Sequence, residues 1–140
     1  MSAASYDGSC FCGRVRYRFS GAVKFVAHDH CSICRRTSGA AFVTWVGVKE
    51  EQLTMLAGEG ELTTFASSEG AQRQFCKHCG SHLFFRSKNW PGEAHLTLAT
   101  VLAPEGLTPT VHVYWSDKAP WLDADATLPR RGGATGVEPL

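Results

Sequence analysis

The chain has 140 residues, enough for one domain with a buried core, and its 44% hydrophobic and 19% charged content excludes a disordered polymer. A net charge of +1 gives no electrostatic case for binding nucleic acid or a membrane surface. No apolar run approaches the ~20 residues that a membrane span needs.

The opening residues, 1–7, carry no basic stretch followed by an apolar core, so no secretory leader is expected and they read as a short extension. A cytoplasmic location is the default, and in a reducing compartment paired cysteines point to metal ligands rather than disulfides. Cys10-Phe11-Cys12-Gly13 then leads into a strand in which Val15, Tyr17 and Phe19 alternate with Arg14, Arg16 and Arg18. The arginines are its solvated face. Next comes His28-Asp29-His30-Cys31-Ser32-Ile33-Cys34-Arg35-Arg36, with a helical turn or two expected after Cys34 and over 49–56. Phe42, Thr44 and Val46 alternate with Val43 and Trp45. Further strands are expected at 61–65, 73–76, 82–86 and 93–101, and one where Val111, Val113 and Trp115 alternate with His112 and Tyr114. Short period-two stretches bounded by Gly, Ser, Pro or Asp predict a mainly β, mostly antiparallel domain over 8–125. The remainder, 126–140, is rich in glycine and poor in apolar residues, and reads as a loosely held tail.

The six cysteines form three close pairs, and four thiolates around one point make a closed tetrahedral zinc site. Cys10 and Cys12, two apart on an extended segment, face one way. Cys76-Lys77-His78-Cys79-Gly80 makes a tight turn whose glycine relieves the steric cost. Joined through zinc, these two pairs tie the start of the domain to its middle. The third pair is then surplus, and a zinc site short of protein ligands is open to water or substrate. If 29–31 is extended, Asp29 and Cys31 face one way and His30 the other, and Cys34 returns through the turn to complete an Asp/Cys/Cys set. His28 or His30 in place of Asp29, or two buried thiols without metal, are the alternatives. Arg35 and Arg36 follow this set and are candidates to hold a substrate carboxylate, or are simply a solvated pair. His82 and His112 are candidate acid–base groups, and Trp45, Trp90, Trp115 and Trp121 are candidate pocket walls; ordinary structural roles are the alternative for each.

Four segments in the same order resemble the glutathione-dependent formaldehyde-activating enzyme family, which also includes centromere protein V. They are Gly8-Ser9-Cys10-Phe11-Cys12-Gly13; His30-Cys31-Ser32-Ile33-Cys34-Arg35-Arg36 with Gly39; Phe75-Cys76-Lys77-His78-Cys79-Gly80; and 112–121, His-Val-Tyr-Trp-Ser-Asp-Lys-Ala-Pro-Trp. The resemblance implies a β-tent (Mss-four-like) fold of small antiparallel sheets organised around zinc. It implies Cys10, Cys12, Cys76 and Cys79 as ligands of a structural zinc, and Cys31 and Cys34 as two ligands of a second, catalytic one. The family's third catalytic ligand is a cysteine where this chain has Asp29. The implied activity is that of a carbon–sulfur lyase joining glutathione, or another thiol, and formaldehyde in an adduct. A zinc-dependent hydrolase on the same fold and a zinc-held binding module without catalysis are the competing expectations.

Overall fold

The computed structural model describes residues 4–122, 129, 131–132, 134–135 and 137–139. The domain is mainly β. Strands β1 (Ser5–Ser9), β2 (Arg16–Ser20) and β5 (Leu53–Ala57) form a small antiparallel sheet in the order β1-β2-β5. Strands β3 (Phe25–Asp29), β4 (Val43–Lys49), β6 (Leu62–Ser68), β7 (Ala71–Cys76), β8 (His82–Ser87), β9 (Glu93–Thr97) and β10 (Val111–Val113) form a larger one, ordered β10-β3-β4-β9-β8-β7-β6. Within it β10 pairs with β3 in parallel, whereas the other neighbours are antiparallel. The helix expected after Cys34 is α1 (Ser32–Ser38). Over 49–56 the expected helical turn is limited to a 3-10 turn at Glu50–Gln52, because Leu53 enters β5. Of the expected tail, 126–140, the boundary and about half of the residues lie outside the described residues, and β11 (Arg131–Gly132) pairs with β12 (Glu138–Pro139).

The two sheets meet through the alternation seen in the sequence. Tyr17 and Phe19 of β2 are fully buried, and the Tyr17 ring meets Phe84 edge-on at 5.2 Å. Its hydroxyl also bonds Thr100 Oγ1 at 2.8 Å. On the large sheet the facing cross-strand row runs Val26, Val46, Leu96, Phe84, each opposite the next in register. Fully burying such side chains stabilises the fold by roughly 1.5–3 kcal/mol each.

The opposite face of the same sheet carries a second row: Phe25, Gly47, His95, Phe85 and Arg73. Because side chains alternate across a strand, this row points away from the core just described. Gly47 matters here, since a Cβ at that position would overlap the Phe25 ring. The missing side chain is what lets Phe25 lie across the sheet and meet His95 edge-on at 4.8 Å.

Candidate metal centres and active-site cavity

The thiols of Cys10, Cys12, Cys76 and Cys79 converge, with all four sulfurs within 4.8 Å of one another. Cys10 and Cys12 lie in the turn between β1 and β2, and the other pair in the turn between β7 and β8, so the cluster spans both sheets. The sulfurs of Cys10 and Cys12 are 3.6 Å apart and those of Cys12 and Cys76 3.7 Å. A disulfide would need about 2.05 Å. Four sulfurs placed about 2.3 Å from a zinc ion sit about 3.8 Å from each other, so the donor set fits a zinc tetrahedron. Each pair is followed by a glycine with positive φ, Gly13 at 83° and Gly80 at 78°, where a side chain would be strained. Backbone N–H groups already face the sulfur side, Val15 N donating to Cys10 Sγ at 3.3 Å. Hydrogen bonds from Ser81 pull the Cys79 thiol down to about 5, whereas burial pushes Cys76 up to about 11.

The second cluster joins Asp29, Cys31 and Cys34, with ligating atoms again within 4.8 Å. Asp29 ends β3, and its Oδ1 accepts from the Cys31 N–H at 3.0 Å. Cys31 is the N-cap of α1, and its sulfur accepts from the Cys34 N–H at 3.1 Å. Gly39, at φ 70°, ends the helix by donating to the Arg35 carbonyl at 2.8 Å. The hydrogen bond with the Cys34 side chain, then that with its backbone, pulls the Cys31 thiol down to about 7. Sharing that bond, and burial, push Cys34 up. Two thiols and a carboxylate within reach of one point are a fitting donor set for zinc with one position left open.

The histidines face elsewhere. His28 Nδ1 bonds Thr44 Oγ1, and His30 Nε2 bonds His112 Nδ1, each at 2.8 Å. His28, His30 and His112 pack with Phe42 and Trp115 on the sheet face opposite Asp29. Neither His28 nor His30 joins the Asp29 cluster among the described residues. His82 stacks on Phe75 at 5.8 Å, and Trp121 is exposed.

The Asp29 cluster opens onto a cavity of about 780 Å³ lined by Trp45, Phe85, Trp90, His95 and Arg73, among others. Arg35 and Arg36 are not among the lining residues: Arg35 is half-buried, its Nε buried without a hydrogen-bond partner, and Arg36 is exposed. A smaller hollow of about 330 Å³ around Glu50, Arg86 and Trp90 contains none of the thiols.

Arg73 was not expected at the site. It is 5% exposed, and both terminal nitrogens donate to Cys34 Sγ, at 3.6 and 3.5 Å. Its guanidinium lies 4.8 Å from the Phe85 ring centre and 6.0 Å from that of Trp45. The signal for it in the sequence is parity, because it falls in phase with Ala71 and Phe75, an arginine on the apolar side of a strand. His95 was missed for the converse reason. It shares the polar parity of β9 with Glu93 and Thr97, which reads as a solvent face but is the cavity floor. Glu93 Oε1 bonds its Nε2 at 3.0 Å, and burial holds its pKa below the usual histidine range. Because Arg73 favours a charged Cys34 sulfur, Arg73→Met should weaken metal at the Asp29 cluster by roughly 10–100-fold while the four-cysteine cluster stays loaded. Chelator competition reads this directly, and equal retention in both proteins would remove Arg73 from the site.

The sequence profile of the glutathione-dependent formaldehyde-activating enzyme family matches residues 5–117. Relatives carrying that name provisionally include a Halomonas elongata protein, 26% identical over 128 residues that make up 86% of this chain and 81% of that protein. An Aspergillus flavus protein so named is 35% identical over 83 residues, 56% of this chain and 44% of its own length. A Schizosaccharomyces pombe protein described as an uncharacterized lyase is 27% identical over 84 residues, 60% of this chain and 59% of that protein. The match therefore spans most of the bacterial relative but only about half of the fungal ones. A crystal structure of a Rhodobacter sphaeroides protein shares the fold, with a TM-score of 0.58 at 23% identity, covering 76% of this chain and 97% of that one.

Proposed function

The chain belongs to the glutathione-dependent formaldehyde-activating enzyme family, and from that premise we propose that it is a zinc-dependent carbon–sulfur lyase acting on a thiol–aldehyde adduct. The observation that carries the reading is the Asp29–Cys31–Cys34 cluster at the wall of the large cavity. In this reading the four-cysteine cluster holds a structural zinc and the Asp29 cluster a second, catalytic one. Zinc held by Asp29, Cys31 and Cys34 supplies Lewis acidity and a fourth position for a substrate sulfur or oxygen.

The residues of the chain do the rest. With zinc bound, Asp29, Cys31 and Cys34 would each bring one negative charge, and the Arg73 guanidinium would offset part of it from behind Cys34. The aromatic walls would place apolar surface beside the adduct. In cleavage the carbon–sulfur bond breaks with its electron pair passing to sulfur. The adduct hydroxyl loses its proton as the carbonyl forms, and sulfur gains one. No oxidant or reductant is needed, and condensation is the same path reversed. Arg35 and Arg36 would serve a substrate carboxylate only from outside the cavity. A cytoplasmic location belongs to the proposal; among the described residues no helix is long and apolar enough to cross a membrane.

One feature favours a second reading. The Asp29 carboxylate donates less electron density than a thiolate, which suits polarisation of a carbonyl and so a hydrolase on the same fold. The test compares fully zinc-loaded protein with protein stripped of metal at the Asp29 cluster alone, in forming and cleaving the glutathione–formaldehyde adduct, since spontaneous addition is already fast. Acceleration by the loaded protein alone is expected. Equal rates, with thioester hydrolysis accelerated instead, would replace the lyase with the hydrolase.

A further inference from the structure

The cavity is much larger than formaldehyde alone requires, so the space serves the rest of the thiol–aldehyde adduct. Formaldehyde brings two heavy atoms, whereas about 780 Å³ lies in the range of sites for drug-sized ligands. Five aromatic side chains line it: Phe25, Trp45, Phe85, Trp90 and Tyr114. Phe85 is central, its ring centre 5.9 Å from that of Trp45 and 5.6 Å from that of His95. Tyr114 stands at the mouth, 60% exposed, with its backbone held in the left-handed region at φ 53° and ψ 39°. A bulky residue there is strained, so the surrounding structure must hold it in place.

The charges say what the space does not suit. Among the described residues two cations line the cavity, Lys24 and Arg73, against four carboxylates, Asp29, Glu69, Glu93 and Asp117. Lys24 Nζ is tied to Glu93 at 2.9 Å and Lys88 Nζ to Glu69 at 3.2 Å, while Arg73 spends two donors on Cys34 and its faces on aromatic rings. Glutathione carries two carboxylates and one ammonium, so it would bring net negative charge into a wall already rich in carboxylates. A neutral aromatic group meets rings on several sides and asks for no counter-ion.

We infer that the preferred thiol or aldehyde of this chain is neutral and carries an aromatic group, which the Phe85 and Trp45 side of the cavity receives while the sulfur or carbonyl faces Asp29, Cys31 and Cys34. This assignment rests on the lyase reading above and names its substrate class. The probes are benzyl mercaptan, 2-mercaptoethanol and glutathione, titrated into cobalt-loaded protein for sulfur-to-cobalt absorption and into zinc-loaded protein for tryptophan fluorescence. Benzyl mercaptan should bind at least tenfold more tightly than either of the others. Trp90→Ala and Tyr114→Ala, at residues 50% and 60% exposed, should each weaken benzyl mercaptan several-fold and leave 2-mercaptoethanol unchanged. Equal affinities, or tighter binding of glutathione, would overturn the aromatic assignment while leaving the lyase reading in place. No cobalt spectral change with any thiol would overturn both.

Discussion

Cys76→Ser should give protein that is unfolded or insoluble, whereas Cys34→Ser should stay folded. The difference lies in what each thiol connects. Cys76 is fully buried in the cluster that bridges the turn of the small sheet and the turn of the large one. A closed zinc site supplies about 10–16 kcal/mol of folding free energy. That is comparable to the whole stability of a domain, about 5–15 kcal/mol, so the remaining contacts between the sheets cannot replace it. Cys34 is also buried, at 2% exposure, but its neighbours are held by their own strands and helix. A serine there still offers Arg73 an acceptor, and the cost should be about 1–3 kcal/mol. Circular dichroism and thermal melting separate the two outcomes. A Cys34→Ser protein more disrupted than Cys76→Ser would mean that the structural and open clusters have been exchanged.

Asp29→Ala should lose metal from the second cluster at chelator concentrations that leave the wild-type chain loaded. With three protein ligands sharing on the order of 10 kcal/mol, each contributes roughly 3 kcal/mol, or about a hundredfold in affinity. Asp29→Cys should hold metal at least as tightly as wild type, because a third thiolate is a softer and stronger donor than a carboxylate. The position can take the change. Asp29 is half-buried, and its one hydrogen bond of note, to the Cys31 N–H, helps shape the turn rather than the core. Equal chelator resistance in wild type and Asp29→Ala would remove Asp29 from the ligand set.

The chain's alternation made much of this readable. Tyr17 and Phe19 lie inward, as their parity required, and the opposed directions of Asp29 and His30 follow from the same period of two. Where local pattern failed, tertiary pairing had decided the matter. Glu50, Glu51 and Gln52 are good helix formers followed by Leu53 and Leu56 at helical spacing, yet Leu53 and Met55 pack inward from β5 beside β2. Residues 5–9 offer little alternation, and β1 exists through its pairing with β2, Tyr6 stacking on Phe19 at 5.1 Å. The cavity floor was hidden for a related reason. Phe25, Gly47, His95, Phe85 and Arg73 come from five different strands and become one row only through strand register. Spacing could assemble cysteines that lie two or three residues apart, but it carried no information about which strand lies beside which.

Zinc content per chain tests the central claim most directly. Protein purified without chelators and measured by inductively coupled plasma mass spectrometry should contain about two zinc ions per chain, one for each donor set that the fold brings together. About one zinc per chain, with Cys31 open to alkylation in the native protein while Cys10, Cys12, Cys76 and Cys79 are protected, would contradict it and leave a zinc-held module without a catalytic metal.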